Sequence, residues 1–90
     1  MNVELNILGT TEAMNTWTLG RATVDGKTYK IQMVRFDEPS MYGIRQGRIS
    51  KLYIADADRN MVANFDRGWD VRAKTVEVKA IVAAITKKFN

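Results

Sequence analysis

Trp17-Thr18-Leu19-Gly20-Arg21-Ala22-Thr23-Val24-Asp25-Gly26-Lys27-Thr28-Tyr29-Lys30-Ile31-Gln32-Met33-Val34 decides the fold, because it reads as two strands joined by a two-residue Asp-Gly turn. A type I′ turn needs positive φ at both central residues, and Asp25-Gly26 tolerates that geometry. The strand-like runs extend to roughly 15–24 and 27–36. Pairing Val24 with Lys27 fixes the register and sets Ala22 opposite Tyr29, Gly20 opposite Ile31 and Thr18 opposite Met33. That face is apolar at its centre and is expected to pack against a helix. The other face pairs Trp17 with Val34, sets Asn15 beside Phe36 and carries Leu19. It turns polar toward Asp25 through Arg21, Lys30, Gln32, Thr23 and Thr28, so only its open end invites cover by the N-terminal strand or the next loop.

On the N-terminal side, Val3, Leu5 and Ile7 alternate with Asn2, Glu4 and Asn6, a period of two that predicts a half-buried strand over about 2–8, broken by Gly9-Thr10-Thr11. On the C-terminal side, Asp37 to Gly47 contains two Gly and the only Pro, and reads as a long loop of the kind that often carries function. A strand is predicted over about 48–55, with Ile49 out of phase with Leu52 and Ile54, which points to a bulge near Ser50 or Lys51. Asp56-Ala57-Asp58-Arg59-Asn60 turns the chain, with Asn60 suited to the left-handed position, and a partner strand follows over about 61–66. After the turn Asp66-Arg67-Gly68-Trp69-Asp70 the period becomes helical over about 75–89. Val78, Ile81, Val82, Ile85 and Phe89 share one stripe, and Lys87 and Lys88 complement the dipole of the last turn. Thr75 is one candidate N-cap, and Asp70 is another because Val71 also falls on the stripe. The expected architecture is a single α+β domain over 1–90: an antiparallel meander of four to five strands with one C-terminal amphipathic helix on one face.

Ninety residues at 46% hydrophobic support one core. Without Cys there is no disulfide, thiolate or Cys-ligated metal, and without His the commonest general base and metal ligand are both missing. No stretch approaches the ~20 apolar residues of a membrane span, and Met1 to Leu8 has no basic segment of a signal peptide, so a cytoplasmic protein is expected. The formal charge of +4 is uneven. Residues 15–36 hold Arg21, Lys27, Lys30 and Arg35 against Asp25, and residues 71–90 hold Arg72, Lys74, Lys79, Lys87 and Lys88 against Glu77. The surplus is divided between the first hairpin and the helix.

The motifs that could carry chemistry are incomplete. Asp56-x-Asp58-x-Asn60 opens like a calcium loop, but Met61 stands where Gly is needed and Arg67 where a bidentate Glu is needed. Asp66 and Asp70 are better explained by capping and turn formation than by acid–base catalysis. Gly43-Ile44-Arg45-Gln46-Gly47-Arg48 lacks the Lys-Ser/Thr of a phosphate loop. Ser40 and Ser50 have no His to activate them and begin no Ser-x-x-Lys motif. No catalytic, cofactor-binding or metal-binding residue is assigned, and no cofactor is expected. Basic residues interleaved with aromatics remain: Arg21, Lys30 and Gln32 on the first hairpin, Arg48 and Lys51 on the third strand. They suit nucleic acid, although alternation puts polar residues on the outer face of any half-exposed sheet. Trp69, between a turn and a helix, reads as a core anchor, which leaves Trp17 as the more available ring.

Glu38-Pro39-Ser40-x-Tyr42-Gly43-Ile44, Gly47-Arg48-Ile49-Ser50-Lys51-Leu52 and Asn64-Phe65-Asp66-Arg67-Gly68-Trp69-Asp70 resemble blocks of a family of short uncharacterised proteins from Gram-positive bacteria and their phages or prophages. The resemblance covers about residues 15–85 and implies a mobile-element setting without an activity. A salt-bridge network of Arg48, Lys51, Asp66, Arg67 and Asp70 would account for the same positions structurally.

The expected function is thus a non-enzymatic binding or accessory module for an unidentified macromolecule, with candidate contacts Trp17, Phe36, Tyr42, Arg48, Lys51 and Arg67, while Asp25, Gly26, Asp66, Gly68, Trp69 and Asp70 shape turns and ion pairs. A nucleic-acid-binding domain using the basic sheet face and helix is one alternative. Another is homo-oligomerisation through the N-terminal strand or through the small back of the helix, Ala80, Ala83 and Ala84.

Overall fold

Residues 1–11 and 17–90 are described by the computed structural model, so the expected strand start at residue 15, with Asn15 beside Phe36, lies outside the described residues. The Asp-Gly turn forms as its chemistry requires, with φ of 51° at Asp25 and 76° at Gly26. It joins β2 (Trp17–Val24) to β3 (Lys27–Arg35) in the register computed from sequence, Val24 opposite Lys27 through Thr18 opposite Met33. Around this hairpin lie β1 (Val3–Thr11), β4 (Ile49–Ala55), β5 (Met61–Asp66) and β6 (Trp69–Val71), all antiparallel and in chain order across an open sheet. One helix, α1 (Val76–Phe89), follows. No helix among the described residues is long and apolar enough to cross a membrane.

The sheet has six strands where four to five were expected, and the additional one is β6. Arg67, at φ 56°, reverses the chain inside the expected turn, and Trp69 then pairs with Phe65 and Val71 with Asn64. Three residues are too few for a period of two to register. β1 is also longer than expected. Gly9 does not end it: Leu8 is the extra residue of a bulge, Gly9 takes φ 156°, and pairing resumes with Gly9 opposite Leu19 and Thr10 opposite Thr18. β1 pairs edge to edge with β2, so it leaves the Trp17 face uncovered. The turn after β4 puts Arg59, not Asn60, in the left-handed region, at φ 67°. The Asp56 carboxylate accepts from the backbone N–H groups of Asp58 and Asn60 at 3.0 and 2.9 Å, which shifts the reversal one residue earlier.

The bulge expected near Ser50 is present. Val34 opposes Lys51 and Arg35 opposes Ile49, so Ser50 is the extra residue, and its hydroxyl donates to the Val34 carbonyl at 3.1 Å. That step turns both Ile49 and Ser50 inward. Ala22, Tyr29, Ile31 and Met33, the expected helix-facing set, are buried with Leu52, Ile54, Ala63 and Phe65 beneath Val78, Ile81 and Ile85 of α1. Each of the larger side chains contributes roughly 1.5–3 kcal/mol of transfer free energy.

The two open N-caps resolve in favour of Thr75, whose hydroxyl accepts from the Val78 N–H at 3.1 Å. Replacing Thr75 by Ala strands that donor and should cost about 1 kcal/mol. Thermal unfolding followed by circular dichroism should show Tm falling by about 4–8 °C; an unchanged Tm would mean that the cap contributes nothing.

Candidate functional site

Alternation along β2 to β5 sends every second side chain away from α1, and no layer of described residues covers that face. Cross-strand pairing aligns its side chains in rows. Arg21 lies opposite Lys30 and Lys30 opposite Ala55; Leu19, Gln32, Tyr53, Asn64 and Val71 form the next row; Val34, Lys51 and Asp66 form the one after, beside Trp17.

Three depressions on this face share walls and so form one groove. The first, about 640 Å³, lies among Leu8, Leu19, Arg21, Lys30 and Arg59. The second, about 450 Å³, shares Lys30 and Arg59 with the first and adds Gln32 and Tyr53. The third, about 190 Å³, shares Gln32 and Tyr53 with the second and ends at Trp17, Lys51, Asn64 and Asp66. The groove therefore follows β3 from Lys30 toward Val34, with Leu8 and Leu19 at one end, Trp17 at the other, and Gln32 and Tyr53 in the middle.

Its electrostatics are one-sided. Arg21, Lys30, Lys51 and Arg59 line it, and among the described residues the ion pairs are Lys27–Glu77 and Arg67–Asp66, which include none of these four cations. The two acids at the groove are already engaged. Asp56 is held within its own turn, and Asp66 Oδ1 lies 3.7 Å from Arg67 Nε. Tyr53 and Trp17 are half-buried, so their rings are braced by neighbours without being sealed from solvent.

Of the residues expected to make contacts, the structure brings Trp17 and Lys51 together at one end of the groove. Phe36 and Arg48 meet elsewhere: the Arg48 guanidinium Nε donates to the Phe36 carbonyl at 3.1 Å, and the Phe36 N–H donates to the Arg48 carbonyl at 2.6 Å. Tyr42 is exposed on the loop, its N–H held by the Ser40 hydroxyl at 3.1 Å. Arg67 is exposed at the β5–β6 turn. The network proposed for Arg48, Lys51, Asp66, Arg67 and Asp70 reduces, among the described residues, to the single Asp66–Arg67 pair. Trp69 is half-buried against the core, in an edge-to-face contact with Phe65 at 5.1 Å between ring centres.

Tyr53, Asn64 and Arg59 were not singled out from the sequence. Tyr53 carried a usable signal, since it is out of phase with Leu52 and Ile54 and therefore belongs on the outer face. Arg59 carried none, because its place depends on the left-handed turn.

The loop after β3 is a structural clasp. Asn90 Oδ1 accepts from the N–H groups of Arg48 and Ile49 at 3.1 and 3.3 Å, and its Nδ2 donates to the Ile44 carbonyl at 3.0 Å. Gly43 and Gly47 are needed for close approach: a Cβ on Gly43 would overlap the Gly47 carbonyl, and one on Gly47 would overlap the Asn90 amide.

A model of the family described as Domain of unknown function (DUF7678) matches residues 16–90, and the chain belongs to that family. No curated protein and no solved structure matches it.

Proposed function

We propose that this member of the DUF7678 family is a non-enzymatic binding module of the bacterial or phage cytoplasm whose open sheet face takes single-stranded nucleic acid. The observation that carries the reading is the groove itself, in which four cations that have no ion-pair partner among the described residues flank Trp17 and Tyr53 on a sheet face that no described residue covers. Single strands are held by this combination, since cations neutralise phosphates while braced rings accept the faces of bases of any identity. Gln32 and Asn64 add donors and acceptors within reach of base edges. A solvated outer sheet face needs neither the rings nor the shortage of free acids, which is why we prefer binding to that plainer account.

The test is anisotropy of short fluorescein-labelled single strands and of the matching duplex, titrated across salt. Single strands should bind more tightly than duplex, with a log–log salt slope of roughly −2 to −3 for up to four phosphate contacts. Tyr53→Ala should weaken binding by about 1–3 kcal/mol without flattening that slope, because a ring stacks without displacing counterions. Absence of binding at low salt would remove the proposal. Equal affinity for duplex and single strands would remove its single-strand form.

A further inference from the structure

The second share of the positive charge gathers on the opposite side of the molecule, where β6, the 43–47 loop and α1 meet. A depression of about 640 Å³ lies there, with Arg45, Arg72 and Lys79 at its rim and Trp69, Ile44 and Val82 as its apolar wall. Its size falls within the ~300–1,000 Å³ of small-molecule sites. No acidic residue among the described residues lines it, and Glu77, the acid in the first turn of α1, is paired with Lys27 at 3.6 Å. Arg72 is positioned by stacking, its guanidinium carbon 5.9 Å from the Trp69 ring centre. Arg45 has φ 51° and ψ 35°, and Gln46 follows at φ 58°, so two successive non-Gly residues stay left-handed within the clasp of Gly43, Gly47 and Asn90. Left-handed geometry in such residues persists only where the surroundings impose it, and it collects at binding sites. It directs a third cation into a space that already holds two.

We propose that this pocket binds a phosphate-bearing small molecule of the nucleoside monophosphate class. The doubly charged phosphate would be shared by Arg45, Arg72 and Lys79, and the apolar body would rest against Trp69 and Val82. Three cations around one depression, with no acid among the described residues there, repel one another until an anion of at least two charges neutralises them, and two guanidinium forks match phosphate oxygens bidentately. The site does not rest on the sheet-face reading, because the two share no residue.

The test uses the full chain carrying Trp17→Phe, which leaves Trp69 as the sole tryptophan reporter. Adenosine monophosphate titrated into it should change Trp69 fluorescence saturably in the micromolar to low-millimolar range, and inorganic phosphate should compete. Arg72→Gln or Lys79→Gln should each weaken binding roughly ten-fold. Arg45→Gly, which suits the left-handed backbone and so should fold at least as well, should weaken it by a similar factor. Lys30→Gln, in the groove on the other face, should leave it unchanged. No saturable signal, no competition by phosphate, or full affinity in Arg45→Gly would each overturn the proposal.

Discussion

Gly43→Ala is expected to destabilise the protein by about 3–5 kcal/mol, read as a shift of the urea midpoint at unchanged slope. The added methyl group has no open space, since it would overlap the Gly47 carbonyl with the Ile49 carbonyl close behind. Overpacking by itself costs roughly 1–3 kcal/mol. Relief by moving the 43–47 backbone would pull it off the Asn90 side chain and strand the Arg48 and Ile49 N–H groups with the Ile44 carbonyl. Groups left unpaired in this way cost about 1–3 kcal/mol each when buried, and Ile49 is fully buried. Asn90→Ala removes the same bonds without the clash and should cost less, roughly 1–3 kcal/mol. If Gly43→Ala stayed within about 0.5 kcal/mol of the parent, the clasp would not be a structural element.

That expectation changes the meaning of the first block of the family resemblance. Ser40, Gly43 and Ile44 attract attention as part of a long functional loop, yet they serve the clasp: Ser40 donates its N–H to the Gly47 carbonyl at 3.0 Å, its own carbonyl accepts from the Gly43 N–H at 3.0 Å, and Ile44 is buried. Asn90 could not be connected to this loop from the sequence, because a contact across more than forty residues leaves no periodic trace. The hairpin around Asp25-Gly26 was legible to single-residue register because turn geometry and a period of two are both local properties. The bulge at Ser50 was legible for the same reason, as a phase error between Ile49 and Leu52. The groove was only half legible. Alternation placed Trp17, Arg21, Lys30 and Gln32 on one face, but Tyr53 and Lys51 join them through strand pairing, and Arg59 through a left-handed turn that the sequence had assigned to Asn60.

The other large effect should come from reversing two charges at once: Lys30→Glu with Lys51→Glu is expected to weaken single-strand binding about 100-fold or more at low salt while leaving stability nearly unchanged. Both side chains sit on the open face, Lys30 exposed and Lys51 half-buried, and neither belongs to an ion pair among the described residues, so the folded state loses little. In the groove the consequences accumulate. Lys30 lies at the junction of the first two depressions and Lys51 in the third, so the reversal replaces attraction by repulsion at two separate points on the path a phosphate backbone would follow. The salt slope should flatten by more than the ~0.7 expected for one phosphate contact on a single strand. Arg59→Gly separates binding from folding in the opposite sense. Arg59 occupies the left-handed region, where a side chain costs about 1 kcal/mol and Gly does not, so this variant should be as stable as the parent or more so, yet bind less tightly. Residues that hold an unfavourable backbone angle for the sake of stability alone would not behave in this way. A more stable Arg59→Gly protein with undiminished affinity would mean that the guanidinium does not meet the strand, and an unaltered affinity in the double reversal would mean that the strand does not lie on this face.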